Sequence, residues 1–148
     1  MKHKGLMMKL KEILLTLGVV SAMTPSLYAQ EAAILFEAKC AACHTTTRPS
    51  DRSTLVAPPV MGVMRHVKMT YSSKKEAVKF VTEYALNPQE SKAVCMPQKI
   101  KHFGLMPSQK GNVTKEELQT IASWMYDNFP PKGFHGMDKG QGKSCKGK

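Results

Sequence analysis

An all-α fold is what this sequence predicts, on three observations. Two stretches open with the Ser/Thr-x-x-Glu signature of a capping box, Ser73-x-x-Glu76 and Thr114-x-x-Glu117, and continue with apolar residues at helical spacing. A third, residues 31–39, is built of helix formers and apolar side chains and runs straight into two cysteines whose spacing fits one helical turn. No strand pattern precedes those cysteines and no α/β alternation surrounds them. At 148 residues the chain is one small domain at most, once any processed segment is removed.

Residues 1–29 read as a secretory signal peptide. Lysines between Lys2 and Lys11 precede an apolar run at 13–23, Pro25 breaks it, and Ser26-Leu27-Tyr28-Ala29 offers a cut after Ala29. The apolar run is about half of the ~20 residues a spanning helix needs. The alternative is an uncleaved membrane anchor. Removal of the signal would leave a domain at 30–131 in the periplasm. Within it the helix at 31–39 carries Phe36 one turn before Cys40, on the same face, where it is expected to pack in the core.

Cys40-Ala41-Ala42-Cys43-His44 is the organising motif. C-x-x-C-H is the attachment signal for a c-type haem: two thiols one turn apart can add to the two vinyl groups along one edge of the ring. His44 follows directly, and its imidazole can rise beneath the iron as proximal ligand. The intervening alanines suit backbone lying against a flat macrocycle. A zinc site would need a second C-x-x-C, and the sequence has none.

Residues 45–71 look irregular, with Arg48-Pro49 and Pro58-Pro59 as loop chemistry. Residues 57–63 are apolar yet interrupted by prolines, as expected of a loop that covers one haem face; Met61 and Met64 read as its wall. The helix opened by Ser73 carries Ala77, Val78, Phe80, Val81, Tyr84 and Ala85 and ends at Asn87-Pro88. A second loop holds Met96-Pro97 and Met106-Pro107. The helix opened by Thr114 turns Leu118, Ile121, Ala122, Trp124 and Met125 inward and stops at Pro130-Pro131. Residues 132–148 form a Gly- and Lys-rich basic tail, expected to be flexible.

Net charge is +11; the first 29 residues carry four lysines and one glutamate, which leaves +8 on the rest. Nucleic acid is an ill-suited partner for an exported chain, so the basic surface points to acidic proteins, or to peripheral contact with an anionic membrane surface. Lys39, Lys99, Lys101 and Lys110 lie in segments expected to frame the haem edge. Cys95 and Cys145 remain beyond the motif, and either a disulfide or two free thiols fits them.

Taken in this order, the elements over residues 31–129 resemble the small class I cytochromes c: three to four helices wrapped around one covalently bound haem c. The resemblance implies that Cys40 and Cys43 link the haem, that His44 is the proximal ligand, and that the Pro58 carbonyl holds its imidazole. Phe36 and Trp124 match the aromatic pair where the first and last helices cross, and Ala32 stands where the family usually has glycine. For the distal ligand, Met106 fits best, because Met106-Pro107 is followed by a short polar loop and the capped last helix. Met96, His102, Met61 and an open site are the alternatives. His/Met ligation leaves the iron no vacant position and raises its potential relative to two histidines. The implied role is a one-electron carrier, not an enzyme, between respiratory partners: an electron donor and a terminal oxidase or reductase. The rival readings are a subunit anchored in a membrane oxidoreductase and a catalytic or sensor haem with an open distal position.

Overall fold

A computed structural model of the chain describes residues 24–94 and 97–134. Residues 1–23 of the expected signal, Cys95, Met96 and the tail from 135 onward, Cys145 included, lie outside the described residues. The described residues are all-helical, with no strand: α1 (Thr24–Lys39), α2 (Val60–Thr70), α3 (Lys74–Leu86), a 3₁₀ turn (Glu90–Lys92), α4 (Pro97–Phe103) and α5 (Lys115–Asn128). None of these helices is long and apolar enough to cross a membrane. The chain divides into two units, Met1–Glu31 and Ala32–Lys148. Of the first, residues 24–31 are described and are helical. The second holds the core and the motif.

Both capping boxes form. Ser73 accepts from the Glu76 N–H and Thr114 from the Glu117 N–H, while each glutamate returns to the backbone N–H of its cap. Those bonds satisfy donors that a helix start otherwise leaves open. α3 and α5 then pack on each other through Ala77 and Ala85 on one side and Leu118, Ile121, Ala122 and Met125 on the other, all buried. The alanines let the two helices approach closely. Lys74 at the start of α3 pairs with Asp127 near the end of α5 at 2.6 Å, so the two run antiparallel. Thr82, 1% exposed, donates to the Val78 carbonyl at 2.8 Å, which spares it an unmet polar group.

α1 reaches α5 through rings: Phe36, 1% exposed, lies 5.2 Å from Trp124, which in turn meets Phe129 edge-on at 5.3 Å. Ala32, one turn earlier, is also buried.

The structure corrects the sequence reading in three places. α1 begins at Thr24 rather than at residue 31, because Pro25 sits in the first turn, where its missing N–H costs nothing. Residues 60–70, expected to be irregular, are α2: Val60, Met64 and Val67 recur at helical spacing and are wholly buried. The Pro-containing stretch ends one residue before it, Pro59 being its N-cap. Residues 97–103, expected to be loop, form the short α4, which buries nothing completely. The described residues therefore hold five α-helices where three to four were expected.

Candidate haem-attachment site

The motif completes a turn at the end of α1. Cys40 N–H donates to the Phe36 carbonyl at 2.8 Å, and His44 N–H donates to the Cys40 carbonyl at 2.9 Å. Both cysteines therefore lie on one helical turn, and His44 lies one turn beyond Cys40. Cys40 packs partly buried against the core, and Cys43 is exposed; neither is in a disulfide. Burial, and then the neighbouring Cys43, push the Cys40 thiol up to about 11. It is a neutral thiol at physiological pH, one that reacts only as a bound partner or base lowers that value.

His44 is tied from below. Its Nδ1 lies 2.8 Å from the carbonyl oxygen of Pro58, fourteen residues on. A carbonyl oxygen only accepts, so this nitrogen carries the proton and donates. The other ring nitrogen, Nε2, then keeps its lone pair, the form in which imidazole ligates a metal. Val60 N–H donates to the Thr45 carbonyl at 2.9 Å, a second bond beside the first. Together they close the neck of the 45–59 loop and fix His44 to the start of α2.

Met106 lies between α4 and α5, half-buried and packed against the same apolar core as Cys40. The residues after it are pinned twice. Ser108 Oγ donates to the Leu86 carbonyl at 2.7 Å, and Gln109 N–H donates to the Ala85 carbonyl at 2.9 Å. Both acceptors are carbonyls of the last turn of α3, which lack partners within their own helix. Lys39 Nζ, at the end of α1, donates to the Asn112 carbonyl in the same loop at 3.0 Å. The sequence reading missed these supports. Their partners are distant in sequence and leave no local pattern.

The other candidates fall elsewhere. His102 is exposed on α4, its ring edge-on to Phe103 at 4.5 Å. Met64 is buried in the core and Met61 is half-buried on α2. Met96 lies outside the described residues. Among the described residues no group of three or more His, Cys, Asp or Glu side chains converges as a metal-binding cluster.

The donor set fits a haem. It offers two thiols on one turn, one imidazole whose Nδ1–H donates to a backbone carbonyl and leaves Nε2 to ligate, and a thioether on a pinned loop. Fold and site define a small all-helical protein built around one C-x-x-C-H turn. The chain belongs to the same family as an uncharacterized protein of Aquifex aeolicus (strain VF5), to which it is 30% identical over 122 residues, 74% of this chain and 80% of that protein. No family model and no solved structure matches it.

Proposed function

We propose that the chain is a periplasmic monohaem c-type cytochrome of the small class I kind, a one-electron carrier rather than an enzyme. The observation that carries this reading is the His44 Nδ1–Pro58 carbonyl bond at 2.8 Å, which leaves Nε2 as the free donor directly after two thiols on one turn. Cys40 and Cys43 would hold the haem through thioether links to its two vinyl groups. His44 and Met106 would supply the nitrogen and the sulfur that ligate its iron. When bound, the haem supplies one-electron exchange between ferric and ferrous iron.

The chain's own residues set the conditions for that exchange. The backbone carbonyl at position 58 fixes the tautomer of His44 and makes it a stronger donor. Ser108 and Gln109 hold the Met106 loop to α3, so the thioether needs little reordering to reach its place. The apolar core against which Cys40 and Met106 pack gives one side of the site a low-dielectric lining, which favours the lower-charged state. Partners are acidic redox proteins that meet the basic surface.

The test is the long-wavelength absorption spectrum of the oxidised, haem-loaded protein. A weak thioether-to-ferric band that disappears in Met106→Ala is the expected result. A high-spin spectrum in the unmodified protein would overturn the carrier in favour of an open, catalytic or sensing iron.

A further inference from the structure

The acceptor that holds His44 belongs to an unusual peptide unit. Its oxygen is that of Pro58, but its nitrogen is that of Pro59, and Pro59 is also the N-cap of α2 with φ −55° and ψ 143°. We infer that Pro59, through the Pro58–Pro59 peptide unit, is the positioning residue for His44: it sets both the direction and the strength of the bond to Nδ1. This inference rests on the proposed function only where the iron is concerned.

Three observations carry it. The direction of a peptide carbonyl is set by ψ of its own residue and φ of the next. Pro59 locks its own φ through its ring and, as a following proline, confines ψ of Pro58 to the extended range. Both torsions beside the acceptor oxygen are thus restrained by one residue. Second, the adjoining Pro59–Val60 peptide unit is anchored, which holds Pro59 itself in place. The Pro59 carbonyl accepts from Gly62 N–H at 2.9 Å and from Val63 N–H at 3.2 Å, opening α2, whose Val60, Met64 and Val67 are fully buried. The adjoining Val60 N–H to Thr45 carbonyl bond at 2.9 Å leaves the loop neck no freedom to slide past His44. Third, the nitrogen of Pro59 bears a second carbon in place of a proton. It therefore donates more electron density to its carbonyl oxygen than a secondary amide does, and it cannot itself bond elsewhere.

A stronger acceptor on Nδ1–H raises the basicity of Nε2, and a more basic ligand favours the oxidised metal. Pro59 thus holds the reduction potential down. Pro58, by contrast, contributes only the oxygen, and any residue at 58 has one.

The test compares Pro59→Ala and Pro58→Ala in the full haem-loaded protein, reading hydrogen exchange of the His44 Nδ1 proton by NMR together with the reduction potential. Pro59→Ala should speed exchange about tenfold, the equivalent of one hydrogen bond at the upper end of its net worth, and should move the potential upward. Pro58→Ala should leave both near wild type. Wild-type exchange in Pro59→Ala, or equal acceleration in the two variants, would overturn the inference. If Pro59→Ala does not fold, Pro58→Ala decides alone, since a tenfold acceleration with Pro59 intact contradicts it. Absence of covalent haem from the exported wild-type chain would instead count against the functional reading.

Discussion

Ser108 places one hydroxyl between the loop that carries Met106 and the last turn of α3, donating to Leu86 at 2.7 Å. Removing it by Ser108→Ala deletes that bond and the longer one the hydroxyl accepts from Lys110 N–H at 3.3 Å, together worth about 1–2 kcal/mol net, and leaves the helices untouched. In the haem-loaded protein the thioether band should then vanish at lower urea concentration than in wild type, with the far-UV circular dichroism transition nearly unmoved. Coincident shifts of both probes would mean that Ser108 supports the whole fold rather than the loop. At Cys40 the argument is one of pH. Burial and Cys43 raise this thiol from an ordinary 9.0 to about 11 in the folded chain. The folded state therefore holds the proton more tightly than the unfolded one. Its contribution to stability is complete below about 9 and is lost as pH rises toward about 11. In the folded haem-free protein, single-cysteine variants should alkylate unequally: exposed Cys43 first, and Cys40 slowly, its rate still climbing at pH values near 11. Equal rates at neutral pH would show that Cys40 is not shielded.

α3 and α5 owe their starts to reciprocal caps, and Thr114→Ala should cost about 1 kcal/mol of stability, read from the urea midpoint. The bonds from the caps also hold the Glu76 and Glu117 carboxyls below their ordinary value of 4.5. Each contributes stability that is full above 4.5 and lost as pH falls through the lowered folded value, so a Glu76→Gln/Glu117→Gln variant should show a flatter loss of stability in acid. Where α1 meets α5, Phe36→Ala empties a buried site against Trp124 and should cost about 3–5 kcal/mol, with a change in Trp124 fluorescence. These helices were legible because their signals are local: a cap, a 3.6-residue stripe and a proline stop. α2 was not, because it has no side-chain cap, begins on a proline and contains Gly62 and three valines, all poor helix signals. Only the spacing of Val60, Met64 and Val67 argued for it. α4 has seven residues and buries none, too few for a stripe to be read. At the site, the cysteines and His44 stand out by spacing alone. The Pro58 acceptor, fourteen residues away, was expected only by resemblance, and the Ser108 contact, across twenty-two, was not expected at all. Hydrogen bonds that bridge elements leave no periodic trace in sequence.

On the scale of the whole molecule, the net charge of +8 carried beyond residues 1–29 is a field before it is a set of contacts. Among the described residues two groups of lysines bear on docking. Lys99 and Lys101 are exposed on α4, before Met106, and Lys110 is exposed in the turn after it; Lys39, expected to belong with them, spends its ammonium group on the Asn112 carbonyl. The second group lines a groove of about 700 Å³ between α3 and α5: Lys74, Lys75, Lys79 and Lys115, with none of the motif residues. There Lys74 and Lys79 already face Asp127 and Glu83, so part of that charge is met within the chain. In the proposed carrier role, an acidic redox partner would gain most by approaching where unmatched charge lies beside the Met106 loop, since electron transfer would need a short path to the haem. Screening acts over about 8 Å at physiological salt, so the second-order rate of electron transfer to an acidic partner should fall steadily as salt is added. Replacing Lys99, Lys101 and Lys110 by glutamine should flatten that dependence and slow the low-salt rate. Replacing Lys75, Lys79 and Lys115, an equal loss of net charge, should do so much less. Equal flattening by both triple variants would mean that net charge alone steers the encounter. A larger effect from the α3–α5 set would move the docking face to the groove.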